Sequence, residues 1–77
     1  MIEASKILSA LGGKSNLIEV EPCITRLRVE VNDPGQVVEG DLKAAGAFGV
    51  VRNGRIVQII VGPQADELAL ELDQANN

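Results

Sequence analysis

The sequence has no histidine, tyrosine or tryptophan, one phenylalanine (Phe48) and one cysteine (Cys23). Each scarcity removes a class of function. Without histidine a lone cysteine has no obvious base for hydrolase chemistry and no partners for a zinc site, so no metal and no cofactor is expected. A single cysteine forms no internal disulfide, which argues against a small secreted scaffold. One aromatic residue leaves little for base stacking. Three scattered lysines in a chain of net charge −4 make no basic footprint, so no nucleic-acid partner is expected. No apolar run approaches the roughly 20 residues of a membrane span. The opening segment MIEASKILSALGG lacks the basic flank of a secretory signal. The expected setting is therefore reducing and cytoplasmic, without direct membrane insertion. A domain cut from a larger membrane protein would carry the same marks.

What is present is an aliphatic chain of 77 residues, 45% hydrophobic, enough for one domain spanning 1–77. A chain this short buries roughly 60% of the surface its unfolded form exposes, and its core must come from Leu, Ile, Val and Ala. Glu3 to Leu11 predicts a helix with Ile7, Leu8 and Leu11 inward, closed by Gly12-Gly13. Leu17 to Val20 predicts a short strand that Pro22 interrupts. Thr25, Leu27, Val29 and Val31 alternate with Arg26, Arg28 and Glu30, the pattern of a strand with one buried and one wet face. That alternation puts Arg26 and Arg28 on one side, about 7 Å apart. Asn32 to Gly35 is a turn with Asp33 as cap and Pro34 at a first helical position. A short helix is expected from Asp41, as N-cap, to Ala45. Val50 to Val61 predicts a hairpin turning at Asn53-Gly54. A last helix starting near Pro63 and Gln64 buries Ala65, Leu68 and Leu72. The order helix-strand-strand-helix-strand-strand-helix predicts an α+β two-layer sandwich: a four-stranded antiparallel sheet with three helices on one face.

The chemistry-bearing stretch is Glu21-Pro22-Cys23-Ile24-Thr25-Arg26-Leu27-Arg28. A lone cysteine is commonly a small buried hydrophobe, and an Arg-x-Arg pair is commonly a solvated strand face. Their adjacency suggests more. Cys23 follows a proline at a strand end, the Ile24 and Thr25 backbone can offer N–H groups, and Thr25 adds a hydroxyl. Nearby cations favour a thiolate, and two guanidinium forks match phosphoryl oxygens. Glu19 and Glu21 oppose the thiolate if they face it. GGKS at Gly12 to Ser15 lacks the upstream glycine of a P-loop. The carboxylates Glu67, Glu71 and Asp73 have the spacing of a solvated helix face.

The segment Asn16 to Asp33, NLIEVEPCITRLRVEVND, resembles the active-site region of the IIB domains of the phosphoenolpyruvate-dependent sugar phosphotransferase system, in the glucose and N-acetylglucosamine family. The matching positions are Asn16, Leu17, Cys23, Thr25, Arg26, Leu27, Val29, Val31 and Asp33. The flanking segments ILSALGGKSNL, LKAAGAFGVV and VQIIVGPQADEL are similar to the family as well. Pro22 departs from its pattern. The resemblance implies the same four-stranded fold and a phosphoryl carrier. A phosphohistidine on a IIA partner would load Cys23, and Cys23 would pass the group to a sugar, N-acetylglucosamine or glucose, held by a membrane IIC partner. It implies a transferase working in the cytoplasm, at the inner face of the membrane when engaged with IIC. Arg26 and Arg28, with Thr25, would steady the phosphoryl group and serve chiefly its delivery to the sugar. The backbone of Ile24 and Thr25 would seat it. Ile24, Phe48 and Val50 are the candidate contacts for the IIA partner, with Phe48 equally suited to the core. The alternative from local chemistry alone is a thiol-based redox or regulatory module.

Overall fold

The computed structural model describes residues 2–76; the expected unit 1–77 thus has its two terminal residues outside the description. Helix α1 (Ala4–Ala10) precedes strands β1 (Leu17–Cys23) and β2 (Arg26–Val31). Helix α2 (Glu39–Ala44), strands β3 (Gly49–Asn53) and β4 (Ile56–Ile60), and helix α3 (Ala65–Asn76) follow. All neighbouring strands are antiparallel, in the order β1-β2-β4-β3. The two hairpins thus join through their second strands. The α+β sandwich expected from the sequence is the observed fold.

The core follows from two periodicities. On β2 and β4, alternate residues Leu27, Val29, Val57 and Ile59 are fully buried, while Arg26 and Arg28 are exposed. Ile7, Leu11, Leu42, Leu68 and Leu72 close over that face from the helices. Helix α3 lies on β1 and β2, α2 reaches β3, and α1 packs against α2 and α3. The opposite sheet face has no helix on it. It carries Glu21, Cys23, Arg26, Arg28, Gln58, Ile60 and Val51, as the register requires.

Several boundaries differ from the sequence expectation. Strand β1 does not stop at Val20: it runs through Pro22, which pairs with Leu27. Because β1 is an edge strand, a residue without an N–H costs no ladder bond on its open side. Thr25 belongs to the turn and not to β2. Helix α2 starts two residues earlier than expected, with Val38 and not Asp41 as N-cap and no side-chain cap. The Val38 carbonyl accepts from the Asp41 and Leu42 N–H groups, so Asp41 lies in the first turn, where its charge favours the helix dipole. The second hairpin turns at Gly54-Arg55, one residue later than Asn53-Gly54, because Asn53 pairs with Ile56.

Helix α1 ends as Gly12-Gly13 predicts. The Gly12 N–H bonds the Ser9 carbonyl and the Gly13 N–H the Leu8 carbonyl, a Schellman closure. Gly12 has φ 104°, and a Cβ there would stand 2.8 Å from Asn16 Nδ2. Asn16 is the buried polar residue of the core. Its Nδ2 donates to the Leu11 carbonyl (2.7 Å) and the Asp33 carbonyl (3.0 Å), and its Oδ1 accepts from the Asp33 N–H at 2.7 Å. One amide thus ties the end of α1 to both ends of the β1–β2 hairpin base.

The two hairpin turns make an informative pair. Each has two central residues with positive φ at the first only: Gly54 at 61° and Ile24 at 57°. This is the pattern of a type II′ turn, whose first position favours glycine. Gly54 satisfies it without strain. Ile24 is β-branched, and the left-handed region costs such a residue roughly 1–2 kcal/mol.

Two stability predictions follow from these contacts. Asn16→Ala strands two carbonyls and an N–H near the core, and is expected to lower the urea unfolding free energy by at least about 2 kcal/mol. A loss below about 0.5 kcal/mol would contradict the role given to that amide. Ile24→Gly removes the strain but adds backbone freedom to the unfolded chain, worth about 0.4–1 kcal/mol. The net expected change lies between zero and a gain of about 1.6 kcal/mol. A clear destabilisation in the same urea titration would show that Ile24 is not strained.

Candidate functional site

Cys23 is the last residue of β1 and is exposed. Across the two-residue turn it faces Arg26, its Cα partner on β2. The next pair on the same face is Glu21 opposite Arg28. The register therefore collects the thiol, both guanidinium groups and Glu21 on one open surface. Glu19 shares it too, opposite Glu30, further from the turn. The acids that sequence reasoning left undirected thus lie on the thiol's own face.

The turn is held from one side. The Thr25 carbonyl accepts two N–H bonds, from Val61 and Gly62, both 3.0 Å. These link it to the residues just beyond β4. Among the described residues, the Ile24 and Thr25 N–H groups have no backbone acceptor. Successive free N–H donors in a turn are groups that can bind an anion.

The four arginines divide cleanly. Arg55 Nε donates to the Val31 carbonyl at 3.1 Å, and Arg52 Nη2 donates to the Pro34 carbonyl. Both brace the connection after β2. Arg26 and Arg28 brace nothing of the kind. Among the described residues the ion pairs are Lys6–Glu3 and Lys43–Glu39, both on the helices, so neither wet-face arginine forms an ion pair, although Glu21 is the cross-strand partner of Arg28. The one side-chain bond to either is Arg26 Nη1 to Gln58 Oε1, at 3.3 Å. Guanidinium groups not bound to carboxylates keep their forks free, the chemistry that matches an external anion.

The apolar candidates separate. Ile24 is 87% exposed and Phe48 77%, so Phe48 is a surface residue and not core. Phe48 Cε2 lies 3.3 Å from where a Cβ on Gly62 would stand, and Gly62 bonds Thr25. Phe48 therefore belongs to the rim of the turn. Val50 does not. It pairs with Ile59 on the inner face and packs on the core, so it is withdrawn as a surface contact. The strand's period of two puts Val51 outward instead. Sequence reasoning also passed over Gln58, although one signal was available: it is the lone polar residue in the run Ile56–Ile60, at a position that alternation turns to the wet face.

The surface around Cys23 is open. Two clefts, of about 270 and 240 Å³, lie elsewhere: one between α1 and α2 near Lys6, Ser9 and Asp41, the other beside Ile2, Gln64 and Glu67. An exposed thiol on a sheet rim suits partners that come to it as surfaces. Among the described residues no helix is long and apolar enough to cross a membrane.

Comparison with known proteins agrees with this geometry. The profile of the family described as phosphotransferase system, EIIB, matches residues 5–37, which include the Cys23 turn. The PTS system N-acetylglucosamine-specific EIIB component of Streptomyces coelicolor is 54% identical over 71 residues, covering 92% of each chain. The PTS system glucose-specific EIICBA component of Staphylococcus carnosus is 46% identical over 69 residues; the match covers 90% of this chain but 10% of that far longer one. Among solved structures, one domain of the PTS system IIabc component from Clostridium difficile superposes with a TM-score of 0.78 at 25% identity, over 92% of this chain and 75% of that one. On these matches and the shared sheet, the chain belongs to the EIIB family of the sugar phosphotransferase system, in its glucose and N-acetylglucosamine branch.

Proposed function

We propose that the protein is a phosphoryl carrier in which Cys23 takes a phosphoryl group from a phosphohistidine of a IIA protein and passes it to a sugar held by a membrane IIC protein. The observation that carries this reading is the shared wet face: an exposed thiol with two unpaired guanidinium groups beside it. The relative covering nearly the same length is N-acetylglucosamine-specific, which favours that sugar over glucose. The fused glucose-specific relative, named EIICBA, supports the existence of IIA and IIC partners. The carrier would work in the cytoplasm and meet IIC at the inner face of the membrane.

In the first step the Cys23 thiolate attacks phosphorus, the S–P bond forms, the N–P bond breaks, and its electron pair returns to the imidazole. In the second a sugar hydroxyl oxygen attacks, the S–P bond breaks, and the thiolate leaves; the hydroxyl proton goes to solvent or to the departing sulfur. Such transfers need little covalent machinery and much positioning and charge. The Ile24 and Thr25 N–H groups and the Thr25 hydroxyl seat the phosphoryl oxygens. Arg26 and Arg28 neutralise the charge spread over them. Ile24 and Phe48 supply the apolar rim for the IIA partner, in a small interface suited to rapid turnover.

The test is reconstitution with phosphoenolpyruvate, the general phosphotransfer proteins, a matching IIA protein and IIC-bearing membranes. Intact mass should rise by one phosphoryl group, and Cys23→Ser should abolish both the gain and sugar phosphorylation. A gain that survives Cys23→Ser would overturn the reading. Arg26→Lys keeps charge but loses the fork. It is expected to load from IIA while transferring to sugar at least about tenfold more slowly, and equal loss at both steps would contradict the delivery role.

A further inference from the structure

Gln58 has no place in the motif around Cys23, yet it is the residue that holds one of its arginines. Strand β4 is paired on both sides, with β2 and β3, so the Gln58 backbone sits at the middle of the sheet and not on a mobile edge. Its Cα partner on β2 is Arg28. Its side chain reaches diagonally to Arg26, whose own partner on β4 is Ile60, and Oε1 accepts from Nη1 at 3.3 Å. The amide therefore stands beside both wet-face arginines and bonds the one across the turn from Cys23. Gln58 is half-buried while Arg26 is exposed, so the amide is the steadier partner.

The choice of an amide has a consequence for charge. A carboxylate in the same place would pair with the guanidinium, occupy its fork and cancel its charge. A neutral acceptor orients the group and leaves the charge for an incoming anion. The Gln58 NH2 keeps its own donors as well.

We propose that Gln58 is a positioning residue that aims the Arg26 guanidinium at the phosphoryl group on Cys23 while leaving its charge uncompensated. The assignment rests on the carrier reading above. It acts through Arg26, so its effect must vanish when Arg26 is removed.

The experiment is a double-mutant cycle on the intact protein. Gln58→Glu and Gln58→Ala are made with and without Arg26→Ala, with unfolding midpoints checked for each. Phosphoryl uptake by the wild type is measured first, then single-turnover transfer to sugar. Gln58→Glu is expected to slow transfer at least about tenfold and Gln58→Ala about threefold; in the Arg26→Ala background Gln58→Ala should slow it no further, while Gln58→Glu still slows it through Arg28, its cross-strand partner. In parallel, NMR relaxation of Arg26 ¹⁵Nε in the unphosphorylated protein should report greater motion in Gln58→Ala than in wild type. A Gln58→Ala loss that persists in full in the Arg26→Ala background, or unchanged Arg26 motion, would overturn the assignment while leaving the carrier reading intact. Failure of the wild type to take up a phosphoryl group would overturn both.

Discussion

The pairing of Cys23 with Arg26 across a two-residue turn sets the geometry of both layers. It fixes the register of β1 on β2, and the ladder from Arg26–Ile60 to Glu30–Ile56 sets β2 on β4. With that register Leu27, Val29, Val57 and Ile59 enter the core, and the thiol, Arg26 and Arg28 emerge together on the uncovered face. A slip of one residue would reverse both assignments at once, because side chains alternate strictly along a strand. Core packing and site assembly are thus enforced by the same hydrogen-bond ladder. The proposed carrier role gains from this: the thiol cannot drift from the two arginines without unpacking the core.

The β1–β2 hairpin divides its work between its ends. At the base, Asn16 and Asp33, the first and last residues of the sequence motif, are bonded to each other, and Asn16 also bonds the end of α1. At the tip, the chain accepts a left-handed isoleucine where the sister hairpin uses glycine. The tip thereby keeps an apolar side chain in solvent, at a backbone cost the base helps to offset. Stability is concentrated where no partner comes, and strain where partners are proposed to dock. The arginines show the same division: Arg52 and Arg55 brace carbonyls near the base, while Arg26 and Arg28 remain uncommitted near the tip.

Much of this was legible in the sequence because it follows from periodicity. The alternation from Leu27 to Val31 specified a half-wet strand and put both arginines on one side. Gly12-Gly13 specified the end of α1, and the Ala65, Leu68, Leu72 spacing specified the inner face of α3. What was missed depends on neighbours that are distant in sequence. Pro22 is tolerated because β1 lies at a sheet edge, and edge position is a property of the strand order. The second turn falls one residue late because Asn53 pairs with Ile56, a matter of register and not of turn propensity. Val50 turns inward for the same reason. Gln58 comes to Arg26 only because β4 lies beside β2, a pairing of strands from different hairpins.

The most direct test of the account is ¹H–¹⁵N NMR of the protein before and after phosphorylation by its donor. The account predicts the largest amide shifts at Ile24 and Thr25, whose N–H groups have no backbone acceptor in the free protein, with Arg26 side-chain resonances moving and the helix layer unchanged. Ile24 and Thr25 amides that stay in place, with the changes centred elsewhere, would contradict a phosphoryl group seated on Cys23 at this turn.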